Sequence, residues 1–478
     1  MSDTRRWLTV LIAAVLAVCT YLFLPDSVNE LARRTAAIFV VAVVFWATEV
    51  IPLFATSLML IGMEIVFLSG KGGTALLFPT LSGTPIENAP HYKTFLQPFA
   101  SGIIILFMGG FLLSTAVTKH GLDKKIASRV LRPFAGRPST LLFAVMAITA
   151  FFSMWMSNTA TAVMMIAVIT PLVKQLPEDD RFHKGLVLGV AFAANIGGIG
   201  TPIGTPPNAV ALAALRQQFP DLELGFAQWM MMAIPLALLL LLATGGLLLF
   251  LFRPAPGTVL PAIEPPAEPI TTRGKLTMVI LAASIFLWVF SGPLGLGLGS
   301  AAVALLAAAA LTTVGALDKF DVDTIDWNIL ILMWGGLALG EAMQTTGLIS
   351  VIADLPFDTL SPGWLVIIVV ALGVGLSTFM SNTAAANVLV PTVIAIGLAL
   401  PDPAAGRDLA IQLGVMTALA CSFAMAFPVS TPPNAIAFAT GRVPALSMIQ
   451  AGGLVSVGCI VVLLVGYRLI LPWALAGS

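Results

Sequence analysis

Charge is what this chain has least of. Only 10% of its 478 residues are Asp, Glu, Lys or Arg, 23 of each sign, and the formal net charge is zero, where a soluble domain carries roughly one quarter charged residues. So sparse and balanced a set gives no support to a nucleic-acid binder working through a basic face. The three cysteines, Cys19, Cys421 and Cys459, lie in apolar runs without CxxC spacing, which excludes a disulfide framework and a thiolate metal site and leaves the redox compartment unread. The three histidines, His91, His120 and His183, fall in polar connections. A histidine metal or proton site would need them to converge, whereas ionisable working groups of membrane proteins face the bundle interior. What the chain does have is apolar residues, 58% of the total, with a mean hydropathy of +1.00. A hydrocarbon core of about 30 Å takes about 20 apolar residues per helical span, and such stretches recur along the whole length. The fold class is an all-α polytopic membrane protein.

Apolar runs bounded by Gly, Pro and charge predict spans at 6–24, 35–51, 53–69, 101–118, 185–215, 227–252, 275–292, 298–316, 328–346, 408–440 and 447–473, which makes about 11 transmembrane helices. The first, in "RRWLTVLIAAVLAVCTYLFLP", has the basic flank and apolar run of a signal peptide but no small-residue exit, and reads as an N-terminal transmembrane helix within 1–30. Two more apolar stretches, 138–174 and 362–400, are too long for one crossing. Each carries Ser-Asn-Thr near its middle, which suits a re-entrant helical hairpin. The segment 253–274, opening "RPAPGTVLPAIEPPAEP", holds six prolines and reads as an extended cytoplasmic linker between halves 31–252 and 275–478.

The halves repeat each other. "FMGGFLLSTAVTKHGL" from Phe107 and "MWGGLALGEAMQTTGL" from Met333 share a Gly-Gly pair and a closing Gly-Leu at an offset of 226. The Ser-Asn-Thr triplets follow at 224, and "GTPPNAV" from Gly204 and "STPPNAI" from Ser430 at 226. Each half holds five crossings and one hairpin, and because five is odd the second half is inverted. Inverted repeats with broken helices near the midplane mark secondary transporters. Lys119, Lys124, Lys125, Arg129, Arg132 and Arg137 form the densest basic cluster. The positive-inside rule then places the N-terminus in the cytoplasm and the C-terminus outside, in the cell (inner) membrane, with the first hairpin entering from the cytoplasm and the second from outside. Arg33 and Arg34 count against that orientation.

A hairpin tip at the midplane leaves backbone N–H and C=O groups without helical partners, at several kcal/mol each unless something polar satisfies them. At the start of the second helix the exposed N–H groups and the dipole favour an anion. Ser, Thr and Asn side chains donate to a carboxylate or accept near a cation. Each Thr-Pro-Pro-Asn removes two N–H donors and interrupts its helix, which frees carbonyls suited to Na⁺. Ser153 and Ser377, one turn before the triplets, add hydroxyls. The residues therefore predict one cation site from Ser153, Ser157, Asn158 and Gly204, and a second from Ser377, Ser381, Asn382 and Ser430. Polar residues in membrane helices also serve as packing glue, but packing does not require breaks at matching places in two halves.

The paired triplets, with "TPIGTPPN" and "VSTPPN", resemble the divalent-anion:sodium symporters, which carry dicarboxylates, citrate or sulfate. The resemblance spans nearly the whole chain after the first helix. It implies a homodimer whose protomers have scaffold and transport domains moving elevator-fashion. It implies substrate contacts at Ser157, Asn158, Thr159, Ser381, Asn382, Thr383 and Thr431, with Pro432 lining the site, and at least two Na⁺ sites matching the two clusters. Gly204 departs from its counterpart Ser430, so the two sites differ chemically. Some relatives are exchangers with basic side chains where sodium would sit; no Lys or Arg lies in these motifs.

Two matched triplets suit a solute with two acidic ends, a C4-dicarboxylate such as succinate first, sulfate or a tricarboxylate next, and exchange rather than symport stays open. An intramembrane hydrolase would need a serine activated by a His or Lys base, and none stands near Ser157 or Ser381, so the chain reads as no enzyme. Glu49, Glu64 and Glu341 lie in or beside apolar segments and keep proton coupling open, although local capping or pairing accounts for them more simply.

Overall fold

The computed structural model describes residues 3–70, 88–177, 180–258, 260, 268–355 and 360–469. Among the described residues the structure is helical, without β-strands. In chain order the α-helices are α1 Asp3–Phe23, α2 Glu30–Thr48, α3 Leu53–Leu68, α4 Lys93–Leu96, α5 Gly102–Lys119, α6 Leu122–Leu131 and α7 Pro138–Ser153. There follow α8 Asn158–Gln175, α9 Phe182–Gly198, α10 Pro206–Gln218, α11 Phe226–Leu251, α12 Thr272–Phe290, α13 Ser300–Thr313 and α14 Lys319–Asp323. The chain closes with α15 Trp327–Thr345, α16 Leu348–Ala353, α17 Pro362–Phe379, α18 Asn382–Leu398, α19 Pro403–Cys421, α20 Pro432–Ala439 and α21 Ala445–Leu469.

Local chemistry sets the helix ends. Asn29 and Thr271 cap α2 and α12 by accepting from Ala32 N at 2.8 Å and Gly274 N at 3.1 Å, each satisfying a backbone donor that has no helical partner. Pro138, Pro362 and Pro432 open α7, α17 and α20, where a missing N–H costs nothing. The Gly-Leu that closes each sequence repeat turns the chain in the left-handed region, Gly121 at φ 61° before α6 and Gly347 at φ 79° before α16, which glycine enters without a Cβ penalty.

Among the described residues seven helices are long and apolar enough to cross a membrane, and Leu53–Leu68, Pro138–Ser153, Ser300–Thr313 and Asn382–Leu398 are shorter apolar helices. Six of these seven fall on expected crossings; the seventh, Pro362–Phe379, is the first helix of the expected hairpin 362–400, and the expected crossing 328–346, helical as α15, is not among them. The runs 185–215 and 408–440 are each two helices, interrupted where the paired prolines stand, and α3 and α13 are short for a full span. The expected span 447–473 is helical to Leu469, and the rest of it lies outside the described residues, as do 259 and 261–267 of the proline-rich linker.

The chain divides into two compact units. One comprises Met1–Ile104, Val210–Leu222 and Trp327–Cys421. Within it α3 packs on α15 and both α17 and α18 pack on α19. Asn387 of α18 donates to the Leu332 carbonyl at 3.0 Å and fits against Gly336, where a Cβ would lie 2.2 Å from the amide. Arg33 and Arg34, which ran against the charge rule, are both buried. Arg33 donates to Pro25 O at 2.7 Å and pairs with Asp26 at 2.9 Å; Arg34 pairs with Glu30 at 2.8 Å and donates to Phe67 O at 3.1 Å. Arg33 thus holds the α1–α2 connection and Arg34 ties α2 to the end of α3, rather than standing free in a loop.

The other unit comprises Ile105–Ala209, Glu223–Asp326 and Ser422–Ser478. Here α7 and α8 pack on α9, α20 lies against α8 and α9, and α11 against α9 and α21. Lys119, closing α5, bridges Asp318 at 2.9 Å and Asp321 at 2.5 Å. That hydrogen bond holds the exposed Asp318 carboxyl below the usual carboxylate range.

Candidate functional site

Both Ser-Asn-Thr triplets stand where a helix restarts. The first long apolar stretch breaks between Ser153 and Asn158, with Ser157 as the cap of α8, extended at φ −61°, ψ 143°, its hydroxyl accepting from Ala160 N at 3.2 Å. The second breaks between Phe379 and Asn382, with Ser381 capping α18 without a side-chain bond. The triplets are thus the first turns of helices long enough to carry a dipole, and their N–H groups point at whatever occupies the break.

The i−4 serines do more than add hydroxyls. Ser153 Oγ is 2.6 Å from one terminal atom of the Asn158 amide and donates to the Ala194 carbonyl at 2.7 Å. The same amide atom is 3.1 Å from Ala194 O and 3.2 Å from Gly204 O. One serine proton cannot serve two acceptors, so the amide presents Nδ2 to Ser153 Oγ, Ala194 O and Gly204 O, and the cluster closes on itself. In the other half Ser377 Oγ is 2.6 Å from the Asn382 amide and 2.5 Å from the Cys421 carbonyl. The repeat read from the sequence is therefore a repeat of hydrogen bonds as well.

The Thr-Pro-Pro-Asn asparagines have a role that the sequence did not disclose. Asn208 Nδ2 reaches the carbonyls of Gly198, Ile199 and Thr201 at 3.1, 3.2 and 2.8 Å, and Asn434 Nδ2 those of Met425 and Phe427 at 2.9 and 3.0 Å. Each asparagine reaches back across its own prolyl break and donates to carbonyls between the two helices that the break separates. Those oxygens are spoken for, so the carbonyls converging on a triplet are those of Ala194, Gly204 and Cys421.

The two halves differ at Gly204 for a steric reason. A Cβ there would lie 2.4 Å from Gly198 O and 2.9 Å from Ser153 O, and one at Gly198 would lie 2.5 Å from the Asn158 amide. No side chain fits. At the equivalent place Ser430 is accommodated, and its Oγ accepts from Phe427 N at 3.3 Å. The triplets differ too: Thr159 is exposed whereas Thr383 is buried.

The structure therefore gathers Ser153, Ser157, Asn158 and Gly204 within one unit. Ser377, Ser381, Asn382 and Thr383 belong to the other unit, while Ser430, Thr431 and Pro432 lie with the first cluster's unit. Thr431 is buried and caps α20 by accepting from Asn434 N at 3.3 Å, and Pro432 is exposed. The histidines do not converge: His120 Nε2 is 3.1 Å from Ala316 O, and His183 Nε2 is 3.1 Å from Arg442 O. Among the described residues no His, Cys, Asp and Glu cluster could hold a metal ion. Glu49 ends α2 and Glu341 accepts from Gln217, but Glu64 is fully buried and neither carboxyl oxygen has a hydrogen-bond partner.

An aromatic stack braces the first break. Trp155 lies parallel to Phe226 and to Trp288, each at 6.2 Å between centroids, and Phe226 to Trp288 at 5.0 Å, with interplanar angles of 9°, 3° and 8°. Trp155→Ala removes one buried plate from this stack, a truncation that costs about 3–5 kcal/mol. The expected result is a lower melting temperature in detergent and weaker solute binding at the first triplet, and an unchanged melting curve would show that the stack does not brace it.

Comparison with known proteins finds transporters. The chain matches a family model described as citrate transporter (CitMHS) over residues 43–415 and 287–477. It is 34% identical over 410 residues to an uncharacterized transporter of Haemophilus influenzae, covering 82% of this chain and 85% of that one. It is 26% identical over 490 residues to the sodium-dependent dicarboxylate transporter SdcS of Staphylococcus saprophyticus, covering 94% and 88%. It is 28% identical to the inorganic phosphate transporter PHO87 of Saccharomyces cerevisiae, covering 85% of this chain but 42% of that one. Among solved structures it shares the fold of the YdaH transporter of Alcanivorax borkumensis, at TM-score 0.55 and 16% identity over 79% of this chain and 88% of that one.

Proposed function

The chain belongs to the citrate transporter family, and from that premise we propose that it is a sodium-coupled secondary carrier that imports C4-dicarboxylates such as succinate. It is a membrane transporter and not an enzyme. The observation that carries the sodium reading is the duplicated cluster of serine hydroxyl, asparagine amide and backbone carbonyl at the two triplets. A half-turn of the Asn158 amide replaces Nδ2 by Oδ1 and leaves four oxygens, with Ser153 Oγ, Ala194 O and Gly204 O, facing one point. The single Ser153 proton serves only one of them, so the remaining oxygens repel unless a cation holds them, and hard oxygen donors suit Na⁺. The same side chain can thus close the cluster with hydrogen bonds or open it to an ion.

In this reading Ser153, Ser157, Asn158 and Gly204 hold one Na⁺, and Ser377, Ser381, Asn382 and Ser430 take part in holding another. Ser157, Asn158, Thr159, Ser381, Asn382, Thr383 and Thr431 donate to the dianion, and Pro432 lines its place. Without arginine in the motifs, Na⁺ supplies the positive charge that makes dianion binding favourable, so affinity for the dianion depends on sodium. Two Na⁺ make the loaded carrier neutral, and a third would draw about 2.3 kcal/mol per 100 mV from the membrane potential. Inverted repeats, an elevator movement of transport against scaffold domains, a homodimer, and an inner-membrane orientation with cytoplasmic N-terminus and external C-terminus complete the proposal. Sulfate, a tricarboxylate and exchange are its competitors, and the phosphate-transporting relative adds inorganic phosphate.

Uptake into proteoliposomes tests it. Labelled succinate is expected to accumulate under an inward Na⁺ gradient and to stay at background with K⁺; accumulation of sulfate or phosphate instead reassigns the substrate, and equal uptake in K⁺ removes the coupling. Proton coupling has one observation in its favour, the unpartnered Glu64 carboxyl. Uptake driven by a pH gradient alone and lost in Glu64→Gln would establish that reading in place of sodium coupling.

A further inference from the structure

Asn195 belongs to neither triplet and neither prolyl motif, yet it bonds one prolyl motif and directly follows a residue whose carbonyl bonds the first cluster. It lies on α9, 1% exposed, in the same unit as Ser153, Asn158, Gly204 and Thr431. Its Nδ2 donates to Thr431 Oγ1 at 3.0 Å, and the Asn434 N–H donates to that same oxygen at 3.3 Å. A threonine hydroxyl has two lone pairs and one proton. With both lone pairs engaged, Thr431 has only its proton left to offer, which makes it a donor, the role an anionic solute requires.

The neighbouring residue ties Asn195 to the cation cluster. The carbonyl of Ala194 accepts from Ser153 and faces the Asn158 amide, and the Ala194 C=O and the Asn195 Cα lie in one rigid peptide plane. Whatever pulls that carbonyl towards an ion tilts the plane that carries the Asn195 side chain.

We propose, resting on the function given above, that Asn195 is a positioning residue: it fixes Thr431 as a hydrogen-bond donor to the substrate carboxylate and transmits the loading of the first cation cluster to that donor. The contact links the first repeat to the second through a single side chain within one unit, which gives sodium a path to the dianion that does not run through the dianion's own charge.

The test is labelled-succinate uptake by reconstituted full-length protein at several Na⁺ concentrations, for wild type, Asn195→Ala, Thr431→Val and the double variant. Melting temperature with Na⁺ alone is measured in parallel. Asn195→Ala is expected to raise KM about tenfold, the loss of one buried hydrogen bond. It is also expected to flatten the dependence of KM on Na⁺, while leaving the maximal rate and the stabilisation by Na⁺ alone close to wild type. Adding Asn195→Ala to Thr431→Val should change little more, because Asn195 acts only through the hydroxyl that valine removes. A KM and Na⁺ dependence unchanged in Asn195→Ala, or strictly additive effects in the double variant, overturns the inference. If the alanine variant does not fold, Asn195→Ser, too short to reach Thr431, is expected to give the same KM shift, and a wild-type KM in it is equally fatal. A wild type whose succinate uptake ignores Na⁺ overturns the functional reading and this inference with it; a Na⁺-dependent wild type beside an unaffected Asn195 variant overturns this inference alone.

Discussion

Asn158→Ala and Asn382→Ala are each expected to bring the proposed Na⁺-driven dicarboxylate uptake to background. Each asparagine is the member of its cluster that can change what it presents, donating to the oxygens around it or joining them as another oxygen. Alanine removes both options. It also removes one partner of the Ser153 or Ser377 hydroxyl and, in the first cluster, the donor to Gly204 O, and a buried polar group left unsatisfied costs about 1–3 kcal/mol. Coupling energies of that size correspond to roughly 5–150-fold in affinity, and in a cycle that needs ion and anion bound together the losses compound. Uptake should fall while insertion and dispersity are retained, and the rise of melting temperature with Na⁺ should shrink in both variants. Ser153→Ala and Ser377→Ala are expected to be milder, because the amide remains. Retained Na⁺-driven uptake in either asparagine variant would remove the cation role from that cluster.

Gly204→Ser is the second large effect, and it runs against the intuition that making the two repeats alike should be harmless. The new Cβ would stand 2.4 Å from Gly198 O and 2.9 Å from Ser153 O. Both are backbone oxygens that cannot rotate away, so the break has to move as a whole. Overpacking a tight interior typically costs about 1–3 kcal/mol, and here the displaced atoms include the Gly204 carbonyl, a member of the cluster. Stabilisation by Na⁺ is therefore expected to vanish together with uptake. The reverse exchange, Ser430→Gly, loses the bond from Phe427 N and costs about 1 kcal/mol, with transport reduced but measurable. Should Gly204→Ser bind Na⁺ like the wild type, the steric account of the asymmetry is wrong.

How much of this could be read beforehand depends on whether the determining contact is local. The breaks at the triplets and at the prolines were legible because proline chemistry and polar residues in an apolar run act within a few positions, and the i−4 serines because they stand four residues before Ser157 and Ser381. The backbone partners of Ser153 and Ser377 were out of reach, since Ala194 and Cys421 are unremarkable letters in apolar runs on other helices. Asn208 and Asn434 were visible as motif letters, but their task of tying off carbonyls requires knowing how the chain turns after the break. Asn195 was missed altogether: its bond to Thr431 joins residues 236 apart, and no asparagine at the corresponding place in the second half marks it as part of the repeat. Apolar run length marked the runs 185–215 and 408–440 but not their interruptions, because hydropathy does not register where a prolyl pair parts one run into two helices.

Asn208 and Asn434 make the interrupted segments self-supporting. A break whose exposed carbonyls were left open would have to be organised anew by each arriving solute, and the entropy of that ordering would be subtracted from every binding event. Here the scaffolding of the gap is covalently its own, so the carrier can release its load without the empty gap collapsing into continuous helix. The free energy of each encounter then goes into telling one solute from another.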